Sequence, residues 1–201
     1  MKKKTSDVWQ IENKFYFKSN PSRIRKIISH YEIFKKTLNV PGAIVECGVF
    51  KGNSLQRFLA FMDMLDKEKK KLIGFDVFGK FPSQQIKKDN KFAIFHNNKI
   101  GLGLSMAKLA RNLKSKKYKN FLLVKGPIEN TLDLFIKNNR KLKISFLHLD
   151  LDVYKPTFFA LEKLYKKVSS GGVILFYDYG KIQGATRATN DFFKKNKLKL
   201  K

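Results

Sequence analysis

The sequence has few acidic residues, a single cysteine and no long apolar run. Its 201 residues include 16 Asp and Glu against 43 Lys and Arg, which gives a formal net charge of +27. The lone Cys47 excludes a disulfide framework and a zinc site built from several cysteines. No apolar run approaches the ~20 residues of a membrane-spanning helix, and no apolar stretch follows the basic N-terminus as it would in a secretory signal. We therefore expect a compact, soluble, cytoplasmic protein with one hydrophobic core and no membrane partner.

The basic charge raises the question of a polyanionic partner such as nucleic acid. Only six of the 43 basic residues are arginine, although arginine is the residue favoured for bidentate contacts with phosphate and guanine. The lysines are spread along the whole chain, as is typical of a solvated surface. Nucleic acid is therefore the less favoured partner, and the positions of the scarce acids are more informative.

Five short apolar runs recur along the chain, and each precedes a stretch with helical spacing of its apolar residues. Such nearly continuous runs are typical of strands that are buried on both faces of a parallel sheet. Strands that alternate with helices form βαβ units with right-handed crossovers. The pattern predicts an α/β fold with a Rossmann-like, doubly wound and mostly parallel sheet. The predicted strands are 43–49, 71–78, 120–125, 144–152 and 172–179. The predicted helices are 55–69, 102–113, 128–138, 157–168 and 185–195.

Two segments depart from this alternation. A helix predicted over residues 21–38 precedes the first strand and indicates an N-terminal helical extension over residues 1–40, before a domain over residues 41–201. The interval 79–119 is longer than one helix and two loops require. A long insertion after the carboxyl end of a strand is often a lid over a ligand, and a lysine-rich loop is the alternative.

Acidic residues gather where the predicted strands end. Because ligands bind outside the carboxyl ends of the strands in open α/β sheets, these carboxylates favour a hydroxyl-rich ligand, a cation, or both. Burying them without a partner would cost several kcal/mol. Helix N-capping explains only one of them, Glu129. The six residues are Glu46, Asp76, Glu129, Asp150, Asp152 and Asp178.

The turn after the first predicted strand carries an acid and two glycines, Glu46, Gly48 and Gly52. Their spacing matches neither the dinucleotide fingerprint nor the phosphate loop. The glycines allow the backbone to approach a ligand closely, and Asn53 or Ser54 can cap the following helix. Asp76 is placed to accept hydrogen bonds from ribose hydroxyls. An acid–glycine turn with a second-strand acid suits S-adenosylmethionine, which has an ammonium and a sulfonium at one end and a ribose at the other.

Five motifs occur in the order VECGVFKGNS, IGFDVFGKFP, KGPIENTL, FLHLDLDVYKPT and GGVILFYDYG. Together they resemble the macrocin O-methyltransferase family, class I S-adenosylmethionine-dependent enzymes that methylate sugar hydroxyls of natural products. The resemblance covers residues 40–193. It implies that the turn with Glu46, Gly48, Gly52 and Ser54 borders the methionine part of the cofactor. It further implies that Asp76 borders the ribose and that the segment starting at Gly126 lies near the adenine.

The resemblance also implies a metal. The family's fourth-strand aspartate corresponds to Asp150, where it is a Mg²⁺ ligand and the suspected base for the acceptor hydroxyl. A divalent cation lowers the pKa of an alcohol, and carboxylate oxygens suit Mg²⁺. The family's fifth strand ends in paired aspartates, of which this chain has only the second, Asp178, because Tyr177 stands at the first. Asp152, expected on the same strand face as Asp150, could support it.

The sequence therefore predicts an S-adenosylmethionine-dependent O-methyltransferase (EC 2.1.1.-) that acts on a hydroxyl of a sugar or glycosylated small molecule with the help of Mg²⁺. The chain could form homo-oligomers. Two alternatives stay open, a methyltransferase of RNA or another polyanion and a non-catalytic cofactor-binding relative. The class usually has a further C-terminal strand hairpin, which we expect to be missing because only residues 196–201 follow the last predicted helix. Of the histidines, His30 is expected on the surface and His148 in the core.

Overall fold

The computed structural model describes residues 6–65 and 70–199. Five strands form one sheet in the order β3-β2-β1-β4-β5, and every neighbouring pair is parallel. The chain moves outward from β1 to β3 in one direction and from β4 to β5 in the other, so the sheet is doubly wound. The predicted α/β class is confirmed. The strands are β1 (Ala43–Cys47), β2 (Leu72–Asp76), β3 (Phe121–Lys125), β4 (Ile144–Leu149) and β5 (Val168–Phe176).

Within the described residues, eight α-helices accompany the sheet, together with a π-helical turn (His96–Ile100) and a 3₁₀ turn (Tyr165–Lys167). Six of the helices are predicted from the sequence. The other two, α1 and α4, were not predicted because few of their residues reach the core. The helix predicted over residues 55–69 includes residues 66–69, which lie outside the described residues. The helices are α1 (Ser6–Lys18), α2 (Pro21–Lys35), α3 (Asn53–Met64), α4 (Lys87–Phe95), α5 (Met106–Ser115), α6 (Ile128–Asn138), α7 (Tyr154–Leu164) and α8 (Gln183–Lys195).

The hydrophobic core lies on both faces of the sheet. Successive side chains of a strand point to opposite faces, and Ile44 and Val45 of β1 accordingly belong to two different clusters. One cluster includes Phe34 of α2 and Phe58 of α3, and the other includes Leu161 of α7. Each fully buried side chain of this size contributes about 1.5–3 kcal/mol. Burial on both faces explains why the strands appear in the sequence as unbroken apolar runs.

The elements before β1 differ in their packing. In α1, every side chain from Asp7 to Lys18 is exposed, whereas α2 packs on α3. The predicted division of the chain at residue 40 stays a prediction. None of the helices in the described ranges is long and apolar enough to cross a membrane. In the same ranges, no strand follows α8.

Candidate functional site

A cavity of about 900 Å³ opens at the carboxyl edge of the sheet. Its walls come from the loops after all five strands, from one face of α2 and from the segment between β2 and α5. Ligand sites of small molecules have volumes in this range. Six of the predicted site residues line the cavity, whereas Glu46 and Gly52 are absent from its wall. The six are Gly48, Ser54, Asp76, Gly126, Asp150 and Asp178.

Gly48 permits a close approach between the ends of β1 and β4. Its φ is 93°, and a Cβ there would lie 1.7 Å from the carbonyl oxygen of Asp150. The Asp150 amide donates to the carbonyl of Cys47 at 2.9 Å, on the same side. The close contact that requires glycine at residue 48 is thus a contact between the turn after β1 and the end of β4, not a contact with a ligand. This contact fixes the position of Asp150 relative to the first turn.

Asp76 organises the turn after β1. Its carboxylate accepts hydrogen bonds from the backbone amides of Val49 (2.7 Å), Phe50 (2.8 Å) and Phe78 (2.6 Å). Phe50 has a φ of 52°, in the left-handed region that these bonds help to maintain. An ionised carboxylate has about four acceptor sites, so Asp76 retains capacity toward the cavity. Its predicted contact with ribose stays a prediction.

Glu46 is fully buried beneath the cavity wall. Its Oε1 accepts a hydrogen bond from the Ser54 hydroxyl and lies 3.2 Å from Nδ1 of His148. The expectation that Ser54 caps α3 is therefore wrong, because its hydroxyl is engaged with Glu46 and α3 begins after Gly52 without a side-chain cap. His148 lies in the core as expected. Glu46 orients Ser54 at the edge of the cavity.

Three carboxylates meet at the ends of β4 and β5. The predicted metal ligands Asp150 and Asp178 are joined by Asp152, and one oxygen from each lies within 4.8 Å of the others. Asp152 does not share a strand face with Asp150, because β4 ends at Leu149 and Asp152 has a φ of 62°. Its amide donates to Oδ2 of Asp178 at 3.1 Å. The left-handed turn, which the sequence pattern does not reveal, brings the third carboxylate into the cluster.

Burial and mutual repulsion dominate the electrostatics of this cluster. Burial and the charges of Asp178 and Asp152 raise the pKa of Asp150 well above its ordinary value. Burial and Asp178 raise the pKa of Asp152 to about 7, and burial raises that of Asp178. Within the described residues no Lys or Arg forms an ion pair with any of them. Converging carboxylate oxygens fit a hard divalent cation such as Mg²⁺.

One face of α2 supplies residues that the sequence reasoning missed. His30 is only 3% exposed and lines the cavity, so its expected surface position is wrong. Its ring stacks on Phe58 at 5.2 Å between centroids. Burial and the neighbouring His148, Arg57 and Lys26 lower its pKa to about 3, which keeps it neutral. The polar i, i+3, i+7 spacing of Arg23, Lys26 and His30 was the available signal, since such residues share a helix face.

The segment between β2 and α5 forms another wall. His96, in the π-helical turn, lies against Phe50 at 5.0 Å and Phe81 at 5.2 Å between ring centroids. Asn97 holds the segment by two hydrogen bonds to the backbone of Phe81, at 2.8 and 3.0 Å. The Gly103 amide donates to the carbonyl of Gly79 at 2.9 Å, which closes the loop on itself. The predicted role of residues 79–119 as a lid stays a prediction.

Comparison with known proteins places this geometry among methyltransferases. The family described as Macrocin-O-methyltransferase (TylF) matches residues 22–201. The chain is also similar to the demethyldecarbamoylnovobiocin O-methyltransferase of Streptomyces niveus, with 27% identity over 146 residues. That alignment covers 70% of this chain and 54% of the relative, so the chain spans about half the length of the protein that it matches.

Two solved structures share the fold. The O-methyltransferase NovP superposes with a TM-score of 0.76 at 23% identity, over 87% of this chain and 73% of NovP. The calicheamicin methyltransferase CalS11 superposes with a TM-score of 0.78 at 21% identity, over 96% of this chain and 80% of CalS11. At these identities the likeness concerns the fold of the chain.

Proposed function

This chain belongs to the macrocin-O-methyltransferase (TylF) family, and from that premise we propose that it transfers a methyl group from S-adenosylmethionine to a hydroxyl of a sugar or glycosylated small molecule. Membership confirms the resemblance that the five sequence motifs predict. The related proteins are named for O-methylation in novobiocin and for calicheamicin, both of which support such an acceptor. The observation that carries the proposal is the cluster of Asp150, Asp152 and Asp178 inside the cavity.

The three aspartates would hold the Mg²⁺. S-adenosylmethionine supplies the methyl group as a methylsulfonium, and Mg²⁺ supplies a Lewis acid that lowers the pKa of the acceptor hydroxyl. Asp152 takes the place left by Tyr177, where the resemblance leads one to expect a carboxylate. The ligand set therefore still contains three carboxylates.

Asp150 would act as the base. The acceptor oxygen takes the methyl group, the hydroxyl proton passes to a carboxylate oxygen of Asp150, and S-adenosylhomocysteine leaves. Burial among acids raises the pKa of Asp150 in the metal-free protein, and a bound Mg²⁺ would favour the ionised carboxylate that accepts the proton. The contact between Gly48 and Asp150 fixes the backbone from which this carboxylate extends.

The cofactor would occupy the side of the cavity between β1, β2 and β3. Gly48, Ser54, Asp76 and Gly126 line that side. Gly126 has a φ of 134°, and a Cβ there would lie 2.8 Å from Thr131. The first turn would border the methionine part, Asp76 the ribose and Gly126 the adenine.

Calorimetric titration with S-adenosylhomocysteine, with and without Mg²⁺, tests the cofactor assignment. Absence of binding under both conditions would exclude the cofactor assignment. The catalytic role is tested by Asp150→Asn, with Asp133→Asn on the exposed face of α6 as the matched control. We expect Asp150→Asn to bind S-adenosylhomocysteine as the parent does and to lose methyl transfer by about 10²–10⁴-fold. Undiminished transfer by Asp150→Asn would exclude it as the base.

The same assays separate the alternatives. An RNA methyltransferase would bind RNA with an affinity that falls steeply with added salt. A non-catalytic relative would bind S-adenosylhomocysteine and transfer no methyl group to any hydroxylated acceptor in the presence of Mg²⁺.

A further inference from the structure

A basic wall faces the cavity beside the carboxylate cluster. Arg23 and Lys26 of α2 and Arg57 of α3 all line the cavity. The chain has only six arginines, and two of the six, Arg23 and Arg57, line this one cavity. Arg25, between the two α2 residues in sequence, is exposed and does not line the cavity.

These cations form no ion pair with a described carboxylate, and the charge of Glu46 offsets only part of the effect of burial and of Arg23 on Arg57. Within the described residues, no carboxylate lies within 4.0 Å of the charged nitrogens of Arg23, Lys26 or Arg57. The buried Glu46 is engaged with Ser54 and His148. Burial and the charge of Arg23 lower the pKa of Arg57. Two guanidinium groups that repel each other in a partly desolvated place are stabilised by an anion that both can reach.

Neutral groups complete the wall. His30, buried and uncharged, has no hydrogen-bond partner for Nδ1 in the described part of the chain. The ring of Tyr177 lies 4.7 Å from Nζ of Lys26 and 6.1 Å from the His30 ring. Tyr177 directly precedes Asp178 in sequence, so the basic wall begins where the carboxylate cluster ends. An aromatic ring at this point holds a cation without neutralising its charge.

We propose that Arg23, Lys26 and Arg57 bind a phosphate group of the acceptor, so that the substrate of the proposed methyl transfer is a phosphorylated sugar. Three cations match a dianionic phosphate better than a single carboxylate. The planar fork of arginine also forms the paired hydrogen bonds that phosphate oxygens accept. Because the basic wall begins where the carboxylate cluster ends, a ligand with its phosphate on the wall can present its hydroxyl end to Asp150. The inference depends on the proposed function only for the assignment of the acceptor hydroxyl.

Calorimetry in metal-free buffer at low ionic strength tests this wall directly. The probes are inorganic pyrophosphate and glucose 1-phosphate, with glucose and glucuronate as comparisons. We expect both phosphorylated probes to bind, and glucose and glucuronate to bind at least about tenfold more weakly. Arg23→Gln and Arg57→Gln should each weaken phosphate binding by about tenfold or more, whereas the matched control Arg25→Gln should stay within about twofold. Arg23→Gln keeps the test valid if the more buried Arg57→Gln unfolds.

Each result has one meaning. Equal loss of pyrophosphate binding in Arg23→Gln and Arg25→Gln would overturn the proposal, because a diffuse surface charge then explains the binding. Binding of glucuronate as tightly as glucose 1-phosphate would also overturn the proposal. A preference for an RNA oligonucleotide over both phosphorylated probes would do the same. S-adenosylhomocysteine is titrated into every variant in parallel. If it binds while the phosphorylated probes do not, the phosphate inference fails and the methyltransferase proposal stands. If the phosphorylated probes bind while S-adenosylhomocysteine does not, the phosphate site stands and the cofactor assignment fails.

Discussion

A methyl group at residue 48 should separate β1 from β4 at the site. In Gly48→Ala the new Cβ would lie 1.7 Å from the carbonyl oxygen of Asp150, a backbone atom that no rotamer change can move. Gly101 offers a matched control. Its φ of 97° is close to the 93° of Gly48, and a Cβ there meets no atom within 4 Å. The two alanine variants therefore both place a Cβ at a positive φ and differ in the clash.

The cost of each variant follows from these contacts. An alanine held at a positive φ costs about 1–2 kcal/mol, which is the whole effect expected for Gly101→Ala. In Gly48→Ala the turn and β4 must also move apart by roughly an ångström or more. This movement strains the hydrogen bonds from Asp150 to Cys47 and from Gly48 to Phe75, both 2.9 Å long. Each buried bond that is lost costs about 1–3 kcal/mol, so Gly48→Ala should lose about 3–8 kcal/mol in total.

Urea unfolding measures the difference. With a slope of about 1–3 kcal/mol per molar urea, the two midpoints should differ by at least about 1 M. Mn²⁺ titration gives a second readout, because displacement of Asp150 should weaken metal binding in Gly48→Ala and leave it unchanged in Gly101→Ala. Equal unfolding free energies for the two variants, within about 0.5 kcal/mol, would refute the assignment of Gly48 to the β1–β4 contact.

Three further predictions concern the cluster and the core. Folding raises the pKa of Asp152 from its ordinary 3.8 to about 7, so the protonated form stabilises the metal-free fold at low pH and this contribution is lost as the pH rises toward 7. The rise in Tm caused by Mg²⁺ should therefore be larger at pH 8 than at pH 6, and a smaller rise at pH 8 would contradict the assignment. Asp152→Asn should weaken Mg²⁺ binding by about tenfold in calorimetry, and unchanged affinity would remove it from the ligand set. Phe58→Ala should cost about 3–5 kcal/mol in urea unfolding, whereas Phe17→Ala, whose side chain is 86% exposed, should stay within about 0.5 kcal/mol.

The sheet could be predicted because each of its strands repeats the same apolar pattern in the sequence. Every strand of a parallel sheet that is covered on both faces must be apolar along its whole length, and the runs around Ile44 and Phe146 show this in the sequence. The strand ends were less certain. The predicted fourth strand continues to residue 152, whereas β4 ends at Leu149, because a run of apolar and acidic residues does not reveal a left-handed turn.

The missed parts of the site depend on packing between distant elements. His30 lies on α2, and only the packing of α2 on α3 decides whether its ring meets Phe58 or solvent. On the same helix, Ile24 and Ile28 are exposed whereas Phe34 is fully buried. The sequence could rank the carboxylates as functional, since they are scarce, but it could not distinguish a proposed ligand such as Asp178 from a buried support such as Glu46.

The pairing of β1 with β4 joins residues that are far apart in the chain. Glu46 lies opposite His148 in this register, and 102 positions separate them in sequence. Closing so long a loop is entropically costly and slow, so we expect this contact to form late during folding, after α3 and the β2–β3 pair. Asp150 then meets the first turn only when the entire sheet has assembled. A nascent or partly unfolded chain should therefore bind no metal. The time course of Mn²⁺ uptake during refolding would then report when the sheet completes its assembly.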